Sequence, residues 1–202
     1  MGDARPADVE FVGLSKAYGA NRVLRDVSFT LTGGGVYCLM APSGSGKTTL
    51  FRVLLGLEQA DAGRVRGAEP GRISMMFQED RLCPTLTAVE NVALVLPPET
   101  RRRDVADLLA RILPPECLDQ PVMELSGGMR RRVSLARAMA FPSDLVVLDE
   151  PFTGLDAQTR RRVIDFLLAE RAGRTLLVAT HGEGDAELLG AQVIRLDEVQ
   201  GA

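Results

Sequence analysis

The chain has 202 residues, a formal net charge of −3, 46% apolar residues and 25% charged ones. That is enough chain to bury a core in one domain, with the balance of an ordinary globule rather than a disordered tract. The negative charge gives no global basic field for nucleic acid, and no apolar run reaches the ~18 residues that cross a bilayer. Cys38, Cys83 and Cys117 are scattered, odd in number and without a C-x-x-C pair. They argue against a disulfide framework or a zinc site and suit a reducing compartment. The polar start, Met1 to Glu10, does not read as a signal peptide.

In chain order, Val9-Glu10-Phe11-Val12-Gly13-Leu14 reads as a strand and Ser15-Lys16-Ala17-Tyr18-Gly19 as a turn. Residues Val23 to Leu31 alternate as a second strand. Gly33-Gly34-Gly35 turns the chain into the apolar run Val36-Tyr37-Cys38-Leu39-Met40. After the next loop, Leu50, Val53, Leu54 and Leu57 repeat with helical period, and that helix ends near Gly56. Arg72 to Phe77 is a short strand stopping at Gln78-Glu79-Asp80. From Leu86 to about Met139 the patterns are helical, with a capping box at Thr87 and Glu90 and an amphipathic segment from Asp104 to Leu113. Ser126-Gly127-Gly128 opens a further helix. Leu145-Val146-Val147-Leu148 and Thr175 to Thr180 read as buried parallel strands around a helix marked by Val163, Ile164, Leu167 and Leu168. Val193 to Leu196 is a last strand. The arginine triplets 101–103, 130–132 and 160–162 read as solvated helix faces, and Met75-Met76 as core. Strands alternating with helices imply a parallel α/β core.

Between the third strand and its helix lies Ala41-Pro42-Ser43-Gly44-Ser45-Gly46-Lys47-Thr48-Thr49. Strand, glycine-bearing turn and helix form the context of a phosphate loop. The backbone curls so that N–H groups face phosphate oxygens, and the helix N-terminus adds partial positive charge. Lys47 would reach the β- and γ-phosphates, and the Thr48 hydroxyl would ligate Mg²⁺. The strict pattern has glycine where this chain has Ala41. If that position required positive φ, alanine would cost on the order of 1 kcal/mol, and Ala41→Gly would leave activity the same or higher.

A second signal lies 102 residues after Lys47, where the apolar run 145–148 ends in Asp149-Glu150. Strand ends in open α/β sheets are where ligands bind. Asp149 suits the Mg²⁺ shell beside Thr48, and Glu150 a water poised for in-line attack on a γ-phosphate. Adjacent acids on a strand would point to opposite sides, which allows two roles. Ser126-Gly127-Gly128 at a helix start is a second anion-binding device. Two copies arranged head to tail would use both.

With these motifs in this order, the chain resembles the nucleotide-binding subunit of an ATP-binding cassette (ABC) transporter, from about residue 9 to residue 197. The resemblance implies a P-loop NTPase (RecA-like) α/β fold with a parallel sheet core, an N-terminal antiparallel β subdomain and an inserted α-helical subdomain at about 80–139, all in one ABC ATPase domain, 1–202. It implies that Tyr18 stacks on adenine, that Gln78 is the Q-loop glutamine contacting Mg²⁺ and γ-phosphate, and that Leu125 to Gly128 are the signature, with Met129 in place of the usual glutamine. Gly154-Leu155-Asp156 matches the D-loop, and His181, the single histidine, the switch histidine. The implied nucleotide-binding set is Tyr18, Ser43, Gly44, Ser45, Gly46, Lys47, Thr48, Thr49, Ser126, Gly127, Gly128 and Asp156. The catalytic set is Glu150, His181 and Gln78, and the metal set Thr48, Gln78 and Asp149.

The implied cofactors are ATP and Mg²⁺. The implied partners are a second copy or another ABC ATPase, integral-membrane permease subunits and an extracytoplasmic substrate-binding protein, with no nucleic acid. The implied location is the cytoplasmic face of the membrane. The segment Gln78-Glu79-Asp80-Arg81-Leu82 and the short frame resemble subunits for nitrate, sulfonate or taurine import, with export left open. Alternatives are a non-transport ABC ATPase acting on ribosomes or DNA, and a small-molecule kinase or GTPase. The last leaves Ser126-Gly127-Gly128 and His181 unexplained.

Overall fold

The structure is a computed structural model that describes residues 5–42 and 44–201. Its strands form a three-stranded sheet in the order β2-β1-β4 and a five-stranded sheet in the order β5-β6-β7-β3-β8. The strands are β1 Val9–Tyr18, β2 Asn21–Leu31, β3 Val36–Met40, β4 Ala62–Arg66, β5 Ile73–Met76, β6 Leu145–Asp149, β7 Thr175–Ala179 and β8 Gln192–Arg195. The chain divides into two compact units, one holding the residues up to Ile73, Ser143–Val147 and those from Gly173 on, the other Ser74–Pro142 and Leu148–Ala172.

In the first unit, β1 pairs antiparallel with both β2 and β4. Val9, Phe11 and Leu14 on β1, with Leu24, Val27 and Leu31 on β2, are buried, the one-sided pattern of an antiparallel sheet over a core. The Phe11 and Phe29 rings stack across the pair at 4.2 Å. The turn expected at Ser15 to Gly19 is largely strand, because β1 continues to Tyr18. Register shifts between Phe11 and Ala17 absorb the irregular pattern, and the reversal falls at Gly19, φ +61°. β4 is a strand the sequence does not advertise: its residues are exposed apart from half-buried Val65.

β3 lies parallel to β7 and β8. Cys38, Leu39 and every residue of β7 are buried, as the apolar runs require of a parallel strand covered on both faces. Helix α1, Lys47–Leu54, buries Thr49, Leu50, Phe51 and Leu54. It leaves the last strand residue, Met40, by a six-residue loop.

The second unit carries α2 Ala88–Ala93, α3 Arg102–Ala110, α4 Gly127–Ala140 and α5 Ala157–Glu170. The capping box is present: Thr87 Oγ1 accepts from Glu90 N, and Glu90 Oε2 from Thr87 N. Fully buried Asn91 closes the preceding loop. Its amide donates to the carbonyls of Cys83, Leu86 and Thr87 and accepts from Cys83 N. The helical stretch is thus shorter pieces tied by a buried amide, with proline-led turns between them.

Candidate functional site

The phosphate loop in the first unit has the backbone its glycines imply. Gly44 has φ +78° and Gly46 φ +99°. At Gly46 a Cβ would come within 2.8 Å of the Val23 carbonyl oxygen and 2.9 Å of its Cγ1, so both conformation and space demand glycine there. Gly46 caps α1, whose first turn holds no acid, leaving its free N–H groups and positive dipole end for an anion. The Ser45 hydroxyl is buried with no hydrogen-bond partner among the described residues. Such an orphan calls for a ligand acceptor, and a phosphate oxygen fits. Ser43, which belongs to the expected set, lies outside the described residues.

Lys47 Nζ donates to the Ala41 carbonyl at 2.7 Å and lies 3.4 Å from His181 Nε2. Two residues separated by 134 positions therefore meet at the loop. Ala41 is buried and is not among the positive-φ positions, which among the described residues are Asp26, Arg81, Glu150 and Ala172 outside glycine. The conformational objection to alanine at this position is thereby removed. His181 follows β7 on a short, firmly held segment. Buried Thr180 donates to buried Asp185 at 2.6 Å, and Gly182 N donates to Thr180 Oγ1 at 3.2 Å. A Cβ on Gly182 would meet Asp185 Oδ2 at 2.7 Å.

Tyr18, at the end of β1, is 49% exposed. Its hydroxyl donates to Glu58, which also pairs with Arg52 at 3.2 Å and Lys16 at 3.8 Å. The ring is therefore held by its hydroxyl end while much of its surface stays open, as a stacking platform requires.

In the second unit, Asp149 is the last residue of β6 and is 6% exposed. Glu150 is not on the strand. Its φ is +51°, a left-handed turn that for a non-glycine residue is stored strain of the kind concentrated at functional sites. The two acids diverge because the chain turns between them, not because they alternate along a strand. Thr153 Oγ1 donates to Glu150 Oε2 at 3.4 Å.

Arg131 organises this strand end. Its Nε donates to the Glu150 carbonyl at 2.9 Å, Nη2 to the Asp149 carbonyl at 2.9 Å and Nη1 to the Gln78 carbonyl at 2.7 Å. Arg132 is also turned inward, donating to the carbonyls of Gly128 and Ile112, and burial lowers its pKa. The 130–132 triplet is thus a set of backbone clamps rather than a solvated face. The reason is local: the carbonyls of Gln78, Asp149 and Glu150 all face α4, and only a long, forked donor reaches several at once.

Ser126 caps α4, its hydroxyl accepting from Met129 N at 3.3 Å. Met129 lies against Cys117, sulfur to sulfur 3.9 Å. Gln78, Gly127, Gly128, Thr153 and Gly154 line one surface pocket with Arg131. Asp156 caps α5, accepting from Thr159 N at 2.9 Å and Thr159 Oγ1 at 2.7 Å. Those bonds hold its carboxyl below the ordinary aspartate value. The structure thus gathers Ala41, Lys47 and His181 in one unit, and Gln78, Asp149 and Glu150 in the other. Thr48 belongs with the first group.

Comparison with known proteins decides the family. Residues 24–153 match the ABC transporter family. The chain belongs to the ABC transporter family. It is similar to the aliphatic sulfonates import ATP-binding protein SsuB 1 of Nocardia farcinica, 41% identical over 196 residues covering 95% of this chain and 79% of the relative. It is also similar to the Nod factor export ATP-binding protein I of Ralstonia nicotianae, 37% identical over 92% of this chain and 63% of the relative. Among solved structures it resembles the dimeric ATP-binding cassette MJ0796 bound to ADP and Pi, with a TM-score of 0.81, 27% identity and 93% of each chain covered.

This ABC cassette is an ATP-binding ATPase subunit of a transporter. Two features of it escape the sequence. Arg131 reads there as one of three surface arginines, and nothing marks the backbone atoms it holds. The Thr180–Asp185 bond beside His181 is likewise silent, since the pair is separated by a glycine-rich turn with no periodicity.

Proposed function

We propose that this ABC ATPase, one domain over 1–202 with a helical lobe at about 80–139, binds ATP through Tyr18 and the loop from Ser43 to Thr49. Lys47 takes the β- and γ-phosphate charge, Glu150 polarises the attacking water, and His181 and Gln78 meet the γ-phosphate. The residues that would hold Mg²⁺ are Thr48, Gln78 and Asp149, and the ion would supply neutralisation of phosphate charge. The observation that carries this reading is the Lys47 ammonium, set between the Ala41 carbonyl and His181 in a glycine loop whose Ser45 hydroxyl lacks a partner among the described residues.

Each ATP would be closed over by Ser126, Gly127, Gly128 and Asp156 of a second copy or of another ABC ATPase. Closure would drive a membrane permease from its cytoplasmic face. The sulfonate-import relative supports an aliphatic sulfonate as cargo, which an extracytoplasmic binding protein would deliver. The Nod factor relative supports export as the second reading.

The test is Glu150→Gln, purified and mixed with Mg²⁺ and ATP. Steady-state hydrolysis should fall at least about a hundredfold, and light scattering should report a dimer that appears only with ATP. A strict monomer, with Ser126→Arg leaving wild-type hydrolysis untouched, overturns the composite site. Sulfonate-stimulated ATPase of the assembled transporter distinguishes the two cargo readings.

A further inference from the structure

We propose that Arg131 is the positioning residue of the hydrolytic centre: by gripping the carbonyls of Gln78, Asp149 and Glu150 it sets the direction of the Glu150 carboxylate and couples it to the Gln78 loop. The inference rests on the reading of Glu150 as the residue that activates water.

First, Glu150 needs restraint. Its φ of +51° is a conformation that a non-glycine residue leaves unless its surroundings hold it. A peptide that relaxed to the extended region would swing the carboxylate away from its present direction.

Second, the restraint is specific. A guanidinium carries five N–H donors in a fixed plane. Here Nε and Nη2 both donate to the Glu150 carbonyl, Nε at 2.9 Å, and Nη2 also donates to the Asp149 carbonyl at 2.9 Å, so the fork brackets the Glu150 backbone torsion that carries the strain. The Arg131 side chain is only 11% exposed, which weakens competition from water.

Third, the same side chain reaches the Gln78 carbonyl at 2.7 Å. The loop that follows is held from the same helix: Arg137 donates to the carbonyls of Asp80 and Arg81 at 3.1 and 2.9 Å, and Arg130 pairs with Asp80 at 3.5 Å. Arg131 is the member of this set that touches both the loop and the strand end. A shift of α4 is therefore transmitted to Glu150 through one rigid group.

The experiment compares Arg131→Met, Arg131→Lys and Arg131→Gln in the full chain with wild type and Glu150→Gln. It measures kcat, KM for ATP, affinity for a fluorescent ATP analogue, and Tm. Methionine keeps the aliphatic stem and removes every donor. Lysine keeps the charge without the fork. Glutamine places an amide nitrogen where Nε stands, so it retains the bond to Glu150 and drops the others. We expect Arg131→Met and Arg131→Lys to lose about ten- to a hundredfold in kcat with KM and nucleotide affinity within about threefold, and Arg131→Gln, which keeps one bond of the set, to lose several-fold less than either.

The proposal is overturned if Arg131→Met keeps wild-type kcat. It is equally overturned if kcat falls only in step with nucleotide affinity and Tm, if lysine restores the rate, or if glutamine does no better than methionine. Should Glu150→Gln hydrolyse ATP at the wild-type rate, the reading of Glu150 fails and the role of Arg131 falls with it. If Glu150→Gln is inactive and Arg131→Met is not, only the positioning role fails.

Discussion

Lys47 Nζ stands 3.4 Å from His181 Nε2 while donating to the Ala41 carbonyl at 2.7 Å. A lysine ammonium only donates, so in a bond between the two it is Nε2 that accepts. On the proposed reading, a γ-phosphate would draw the ammonium away and leave the imidazole directed at the same anion. His181→Ala should therefore lower kcat by about a hundredfold and leave ATP affinity nearly intact. Lys47→Met should weaken ATP binding itself. Equilibrium titration with a fluorescent ATP analogue, set beside steady-state turnover, separates the two. Loss of affinity in His181→Ala comparable to that in Lys47→Met would refute the division of labour.

The missing glycine gives a prediction of small and opposite parts. Ala41 is buried, makes its contact through its backbone carbonyl and is not at positive φ. Ala41→Gly should leave kcat and KM unchanged. The added freedom of the unfolded chain, with the lost methyl, should cost about 0.5–1 kcal/mol, which is a fall in Tm of about 1–4 °C at this chain length. A several-fold gain in activity would mean that the methyl crowds the loop after all.

Much of this was legible because the determining features are local in sequence. The run 145–148 ending in Asp149, the glycines around Lys47 and the Thr87–Glu90 box each carry their own reason for the structure they adopt, and the structure adopts it. Asn91, Arg131 and the Thr180–Asp185 pair were not legible, because each acts on backbone groups or a partner brought to it by the fold. The left-handed Glu150 was hidden for the same reason: its conformation is imposed by the strand end and by a guanidinium 19 positions away, not by its own propensity. Edge strand β4 lacks the apolar alternation that marks a strand.

Cysteine reactivity should split two ways. Cys38 is fully buried, and burial, with the nearby Asp185 carboxylate adding to it, pushes its thiol up to about 12. Cys117 is buried and Cys83 exposed. Only thiolates react with alkylating agents, so iodoacetamide at about pH 8 should label the native protein once, at Cys83, and the unfolded protein three times. Peptide mass mapping identifies the site. Rapid labelling of Cys38 in the native protein would contradict its burial between β7 and β8.

Acid stability should follow the carboxylates that the fold has recruited as caps and ion-pair partners. Asp156 is held below the ordinary 3.8 by the Thr159 backbone N–H first and the Thr159 hydroxyl next, Asp144 by its Arg72 hydrogen bonds, and Glu90 below 4.5 by the Thr87 N–H. A depressed folded value means that the unfolded chain takes up protons first. The stabilisation is complete above these ordinary values and is lost as pH falls through the folded ones. The Tm should accordingly be flat from about pH 8 to pH 6 and drop below about pH 4.5. In Asp144→Asn the Arg72 hydrogen bonds are weakened at every pH, so its Tm should lie below wild type at neutrality and converge on it in acid. Parallel curves that never converge would show that Asp144 stabilises by packing rather than by charge.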